Sequence, residues 1–165
     1  MLLFEPLGPY VVPAGAAKKK YVDKEKVLSF WKKYPKLASR TGCYIYGVRA
    51  GKGWTPYYIG KATRDFESEA LSDRNLVHFV NKVLNDRTGT PILFFLAEPL
   101  KKGKANSRLI ADLERYLIAN AARTNPSLLN KHGTSIPSWG IKGILRSGAG
   151  KSNAAARELM RRLDL

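Results

Sequence analysis

Two short tyrosine-bearing strings, Gly42-Cys43-Tyr44-Ile45-Tyr46 and Tyr57-Tyr58-Ile59-Gly60, constrain the fold of this chain more than any other feature. β-Branched and aromatic residues crowd both, so each reads as a strand. Gly51-Lys52-Gly53, with Pro56, supplies turn chemistry between them. Strands joined by so short a connection pair antiparallel, which sets tyrosines of the two strings side by side. Tyrosine is a common strand residue whose hydroxyl finds a partner when buried, and that alone would account for it. Two phenols gathered on one sheet of a strongly basic chain suggest, in addition, a site that handles phosphate.

The basic balance is large and uneven. The net charge is +16, from 29 Lys and Arg against 13 Asp and Glu. Residues 1–40 carry nine basic and three acidic side chains, residues 131–165 seven and two, and the middle thirteen and eight. The flanks therefore hold +11 of the +16 (six from the first, five from the last). A polyanion partner follows, bound more weakly as salt rises. DNA and RNA both suit that charge. A membrane surface suits it less, because no interfacial basic amphipathic helix and no lipidation motif is found.

The longest apolar run, Pro91–Ala97, is too short to span a bilayer, and Met1-Leu2-Leu3-Phe4 meets Glu5 and Pro6 too soon for a signal peptide. The single Cys43 excludes an internal disulfide and suits a reducing, cytoplasmic setting. With 165 residues and 44% hydrophobic content, one domain with one ordinary core is expected. Three regions are anticipated: a basic arm and helix over 1–40, a core over 41–131, and a basic extension over 132–165. The arm reading rests on Pro and Gly in the first twenty residues and on Lys18-Lys19-Lys20.

Asp23 is placed to cap a helix through Val27, Leu28, Phe30 and Trp31 that ends before Pro35. From Phe66 to Asn85 the pattern is helical, with Leu76, Phe79, Val80 and Val83 on one face. Asp65, Glu67, Glu69 and Asp73 near its start fit the helix macrodipole better than a metal site. A buried strand at 91–97 follows, then a helix from Asn106 or Ser107 to Arg123, stopped by Asn125-Pro126. The stretch after Asn130 reads as irregular until a last helix near Asn153–Leu163. The expected fold is α+β, a small three-stranded antiparallel or mixed sheet flanked by helices with terminal extensions. Its core order is strand, strand, helix, strand, helix.

Glu114 is the sharpest single residue. On the helical wheel it falls between Ile110 and Ile118, beside Leu117 and Ala121. A carboxylate in an apolar arc is costly unless a cation or hydrogen bonds meet it. It either reaches water or an arginine at the arc's edge, or ligates a hard divalent ion that keeps most of its water. Arg74 and His78 lie one turn apart on the face opposite Leu76, where a solvated pair and a phosphate-and-proton pair are both possible readings. Arg64 competes with Arg74 as a phosphate clamp because it lies nearer Tyr58 in sequence. Arg146 to Ser152 fails as a nucleotide-binding loop, since Leu145 stands where glycine is needed, so ATP is excluded. Arg146 and Lys151 are left as contacts to a DNA backbone. Cys43 has no partners at zinc spacing, and His132 sits in a loop without an assigned role.

Taken together, Gly42-Cys43-Tyr44 and Tyr58-Ile59-Gly60, followed by Lys61-Ala62, resemble the signature of the GIY-YIG nucleases, with Cys43 where isoleucine is usual. The order of elements is similar to that family's, and so is the run Leu113-Glu114, Leu117-Ile118, Asn125-Pro126, Leu129-Asn130. The resemblance covers about residues 41–131. It implies a DNA endonuclease dependent on Mg²⁺ or Mn²⁺, with Glu114 as metal ligand and Tyr44, aided by His78, as proton acceptor. It further implies Arg74 on the phosphate, Tyr58 orienting water or phosphate, and Asn130 fixing Glu114 or the substrate backbone. Ser68 stands where the family's arginine is commonest, and the Arg74–His78 spacing favours Arg74 over Arg64. Lys61 and Arg64 join Arg146 and Lys151 as expected DNA contacts. A noncatalytic nucleic-acid-binding module on the same fold is the alternative, RNA is a second partner to weigh, and monomer and homodimer both stay open.

Overall fold

In the computed structural model, residues 2–16, 20–100, 103–130, 139–144 and 152–165 are described. Three strands come first: β1 (Leu2–Val11), β2 (Ala14–Ala16) and β3 (Lys20–Val22). Helices α1 (Lys24–Lys33) and α2 (Pro35–Ala38) lead into β4 (Gly42–Ala50) and β5 (Gly53–Ala62). Two short helices follow, α3 (Phe66–Glu69) and α4 (Asp73–Phe79), the second running into a π-helical turn at Val80–Leu84. β6 (Thr90–Ala97), α5 (Ser107–Thr124), β7 (Trp139–Ile141) and α6 (Ala154–Leu163) complete the chain.

The α+β class is as expected, but the sheet has five strands rather than three, in the order β5-β4-β6-β1-β7. The anticipated trio β5-β4-β6 is its antiparallel part, and β1 and β7 extend it. Residues 2–11 are thus sheet, not arm. Phe4 and Pro6 are buried while β1 pairs antiparallel with β6 and parallel with β7. The proline and glycine that read as breakers fall where the register shifts between Leu7 and Tyr10, an irregularity that tolerates a residue without an N–H. β7, only three residues long, escaped notice because its one strong signal is Trp139, fully buried against Phe4 and Tyr116.

Alternation along the strands serves both faces. Tyr44, Tyr46, Leu93 and Phe95 face one layer with Phe30, Trp31, Phe66, Leu76 and Phe79 from α1, α3 and α4. Cys43, Ile45, Ile59, Phe94 and Leu96 face the other, with Ile110, Leu113 and Leu117 of α5 and Leu159 and Leu163 of α6. A sheet covered on both faces by helices explains why β6 reads as one apolar run rather than alternating. The helix starts match their caps, with Asp23, Asn106 and Asn153 each accepting from a backbone N–H in the first turn. The single helix expected over 66–85 is instead three pieces; Asp65 caps the first by accepting from Ser68 N–H, and Ser72 restarts the second. Among the described residues, no helix is long and apolar enough to cross a membrane.

Candidate active site

β5 is an edge strand, and the cleft of interest, about 960 Å³, lies beside its second half between α4 and α5. Its walls include Tyr44 of β4, Tyr58 and Lys61 of β5, Arg74 and His78 of α4, Glu114 of α5, and Asn130. Six residues singled out from sequence as catalytic therefore share one cavity, together with Lys61.

The glycines of the strings are steric necessities. Tyr44 lies opposite Gly60, and a Cβ on Gly60 would stand 2.3 Å from Tyr44 Cζ, so only glycine lets the ring cross the neighbouring strand into the cleft. Gly42 has φ +145° with the Leu96 carbonyl 2.0 Å from where its Cβ would be. Tyr46 pairs with Tyr58 across the strands, and a register shift follows before Gly47 pairs with Pro56. Pro56 therefore belongs to β5 rather than to the turn.

The two phenols are held by a residue that sequence reading overlooked. Asn75 Nδ2 donates to Tyr44 Oη at 2.7 Å and to the Glu69 carbonyl at 3.0 Å. A carbonyl can only accept, which fixes the amide and turns its Oδ1 toward the Tyr58 hydroxyl, 3.4 Å away. The signal was present: Asn75 shares a helical face with Phe79, which is fully buried, so a polar residue there needed partners.

Electrostatics separates the phenols. Burial pushes Tyr44 well above the ordinary tyrosine value, and Tyr46, Tyr58 and Glu69 push the same way. Tyr46 is raised too, first by burial and then by Tyr58, and its hydroxyl donates to the Ala70 carbonyl. Tyr58 is raised by burial and by Glu114 but is drawn back by its hydrogen bond with Tyr44 and by Arg74 and Lys61. His78 lies against the Tyr58 ring, centroids 6.4 Å apart, on the exposed side of α4.

Glu114 resolves its expected conflict with an ion pair. Its Oε2 accepts from Lys61 Nζ at 2.6 Å, and only 16% of its side chain is exposed. Lys61 is thereby placed in the cleft, while Arg64 is not. Arg64 extends beside Glu69 with 74% of its side chain exposed, lining a separate pocket with Arg40 and Lys104. Asn130 is held by the backbone of β5. Its amide accepts from Ile59 N–H at 3.3 Å and donates to the Ile59 carbonyl at 2.5 Å, so it clasps the edge strand and leaves Glu114 alone. Arg146, Lys151 and His132 lie outside the described residues. Among the described residues, no group of three or more His, Cys, Asp or Glu side chains is placed to hold a metal ion.

Compared with protein-family models, with curated proteins and with solved structures, the chain gives no match.

Proposed function

We propose that this chain is a divalent-metal-dependent endonuclease hydrolysing phosphodiester bonds of DNA by chemistry of the GIY-YIG kind. One observation carries the reading. Tyr44, Tyr58, Arg74, His78 and Glu114, drawn from β4, β5, α4 and α5, meet in a single cleft. The +16 net charge supports a polyanionic substrate.

The donor set suits a hard ion sparingly bound. Three carboxylates line the cleft: Glu114, paired with Lys61; Glu69, whose Oε1 accepts from the Thr63 and Arg64 N–H groups; and Asp73, paired with Lys24 outside it. Glu114 is the one set among the apolar residues of α5. One carboxylate with retained water fits Mg²⁺ or Mn²⁺ and fits a multi-ligand zinc cage poorly. When bound, such an ion would polarise a phosphate oxygen and neutralise charge on the leaving 3′ oxygen. The exposed Arg74 guanidinium suits a bidentate bond to the phosphate. Both phenols stay protonated near neutral pH, so Tyr44 anchors the pair, and Tyr58, whose proton is directed at Asn75 Oδ1, orients the attacking water by accepting a hydrogen bond from it. The proton acceptor is then His78 rather than Tyr44, because the buried Tyr44 phenol holds its proton while His78 lies exposed beside the Tyr58 ring in the same cleft. Products carry 5′-phosphate and 3′-hydroxyl ends.

Supercoiled plasmid incubated with Mg²⁺ is expected to be nicked, EDTA to stop it, and Glu114→Ala to slow it by about 10²-fold or more. The raised phenols favour a second reading, a noncatalytic nucleic-acid-binding module. That reading prevails if no magnesium-dependent nicking is seen and Glu114→Ala binds DNA as tightly as the wild type. Competition of single-stranded RNA against duplex DNA over a salt series decides between the polyanions.

A further inference from the structure

The Lys61–Glu114 ion pair poses a problem for the reading above. Glu114 lies beside Ile110, Leu113, Leu117 and Ile118, all buried, and is itself only 16% exposed. A bare carboxylate in that setting is costly, so a cation must accompany it whether or not a metal is bound. Lys61 Nζ, 2.6 Å from Oε2, is that cation in the metal-free chain. It is not a fixed one. The ammonium ends a flexible stem whose side chain is 43% exposed, so it can leave without disturbing β5. It also cannot stay, because a divalent ion on the same carboxylate would be repelled by an ammonium in hydrogen-bonding contact with it.

We infer that Lys61 is a resident cation that guards Glu114 in the metal-free chain, yields the carboxylate to a divalent ion, and moves to the substrate phosphate. This rests on the metal-dependent phosphodiesterase reading. The neighbouring charges turn Lys61 toward the open cleft. Arg74 and Lys82 line the α4 side of the cleft and repel it, Glu69 Oε1 already accepts from two backbone N–H groups, and Asp73 is paired with Lys24. The freed ammonium therefore faces the open cleft, where a phosphodiester would lie. The coupling is reciprocal: whatever factor the metal costs the Lys61 bond, Lys61 costs the metal. Metal and DNA accordingly bind with positive cooperativity, each claiming one partner of a broken pair.

The test needs no cleavage. Binding of Mn²⁺ to the full chain without DNA is followed by the paramagnetic resonance of the free ion. Lys61→Gln is expected to bind Mn²⁺ about tenfold more tightly than the wild type. Lys61→Arg, which keeps a cation, is expected to stay near the wild type, and Glu114→Gln to lose the site. If Lys61→Gln folds poorly, Lys61→Met tests the same point. In a second measurement, fluorescence anisotropy of a labelled duplex with Ca²⁺, the ion is expected to tighten DNA binding by the wild type but not by Lys61→Gln. An Mn²⁺ affinity in Lys61→Gln or Lys61→Met equal to or below that of the wild type overturns the inference, as does Mn²⁺ binding to neither. The two readings fail separately. Plasmid nicking with unchanged Mn²⁺ affinity in Lys61→Gln removes the guard and leaves the nuclease, and tighter Mn²⁺ without nicking does the reverse.

Discussion

Asn75 organises the cleft more than any residue of the tyrosine strings, because one amide meets Tyr44, Tyr58 and the Glu69 carbonyl. Replacing it with alanine strands the half-buried Glu69 carbonyl and leaves the Tyr44 hydroxyl only its bond with Tyr58. Leaving such groups unpaired costs about 1–3 kcal/mol, so urea unfolding of Asn75→Ala should show a loss in that range. The same variant should lose most plasmid nicking, since Tyr58 is no longer aimed. Unchanged stability would mean that water replaces the amide without cost. The motif residues were legible because their types are demanded sterically, glycine at 60 by the Tyr44 ring above all. Asn75 was less so, because the apolar face through Phe79 marks its side of the helix as covered but does not tell that two phenols and a carbonyl meet it there.

At the scale of elements, the segment after α5 behaves as a sixth partner of the sheet without being a strand. Asn125 Nδ2 donates to the Pro56 carbonyl at 2.7 Å, Leu129 N–H to the Tyr57 carbonyl at 2.8 Å, and Asn130 exchanges two bonds with Ile59. An exposed edge strand invites pairing with another chain, and this clasp closes the stretch of β5 that carries Tyr58. Asn125-Pro126 was readable as a helix stop, but the segment's function as an edge cover depends on a neighbour about seventy residues away. That distance, like the parallel pairing of β7 with β1, leaves no local periodicity to read. Asn130→Ala should lower stability by about 1–2 kcal/mol. Amide exchange should speed at Ile59 well beyond the change at Ile45, which remains paired within the sheet. Equal acceleration at both amides would show global loosening instead of an opened edge.

Across the whole molecule, two helical layers sandwich the five-stranded sheet, and the aromatic layer has buried two phenols in their neutral form. Tyr44 and Tyr46 are 1% and 0% exposed, with Tyr46 stacked on Phe79 at 4.8 Å. Both phenols are raised in the folded chain above their value of 10.0, so the fold favours the protonated form. That stability is fully present below about pH 10 and is lost as pH rises from there towards the folded-state values. Each phenol should remove about 1.4 kcal/mol per pH unit in that window. Cys43, also raised by burial, adds its share from a somewhat lower onset, near 9.0. Deprotonation of lysines over the same range relieves the self-repulsion of a +16 chain, which works in the opposite direction. Differences between variants isolate the phenols, because the lysines are common to all. Urea unfolding from pH 9 to 12 should therefore give a steeper alkaline decline for the wild type than for Tyr46→Phe, by about 1.4 kcal/mol per unit. Tyr44→Phe should flatten the decline similarly, and parallel curves for all three proteins would show that the buried phenols ionise without unfolding the sheet.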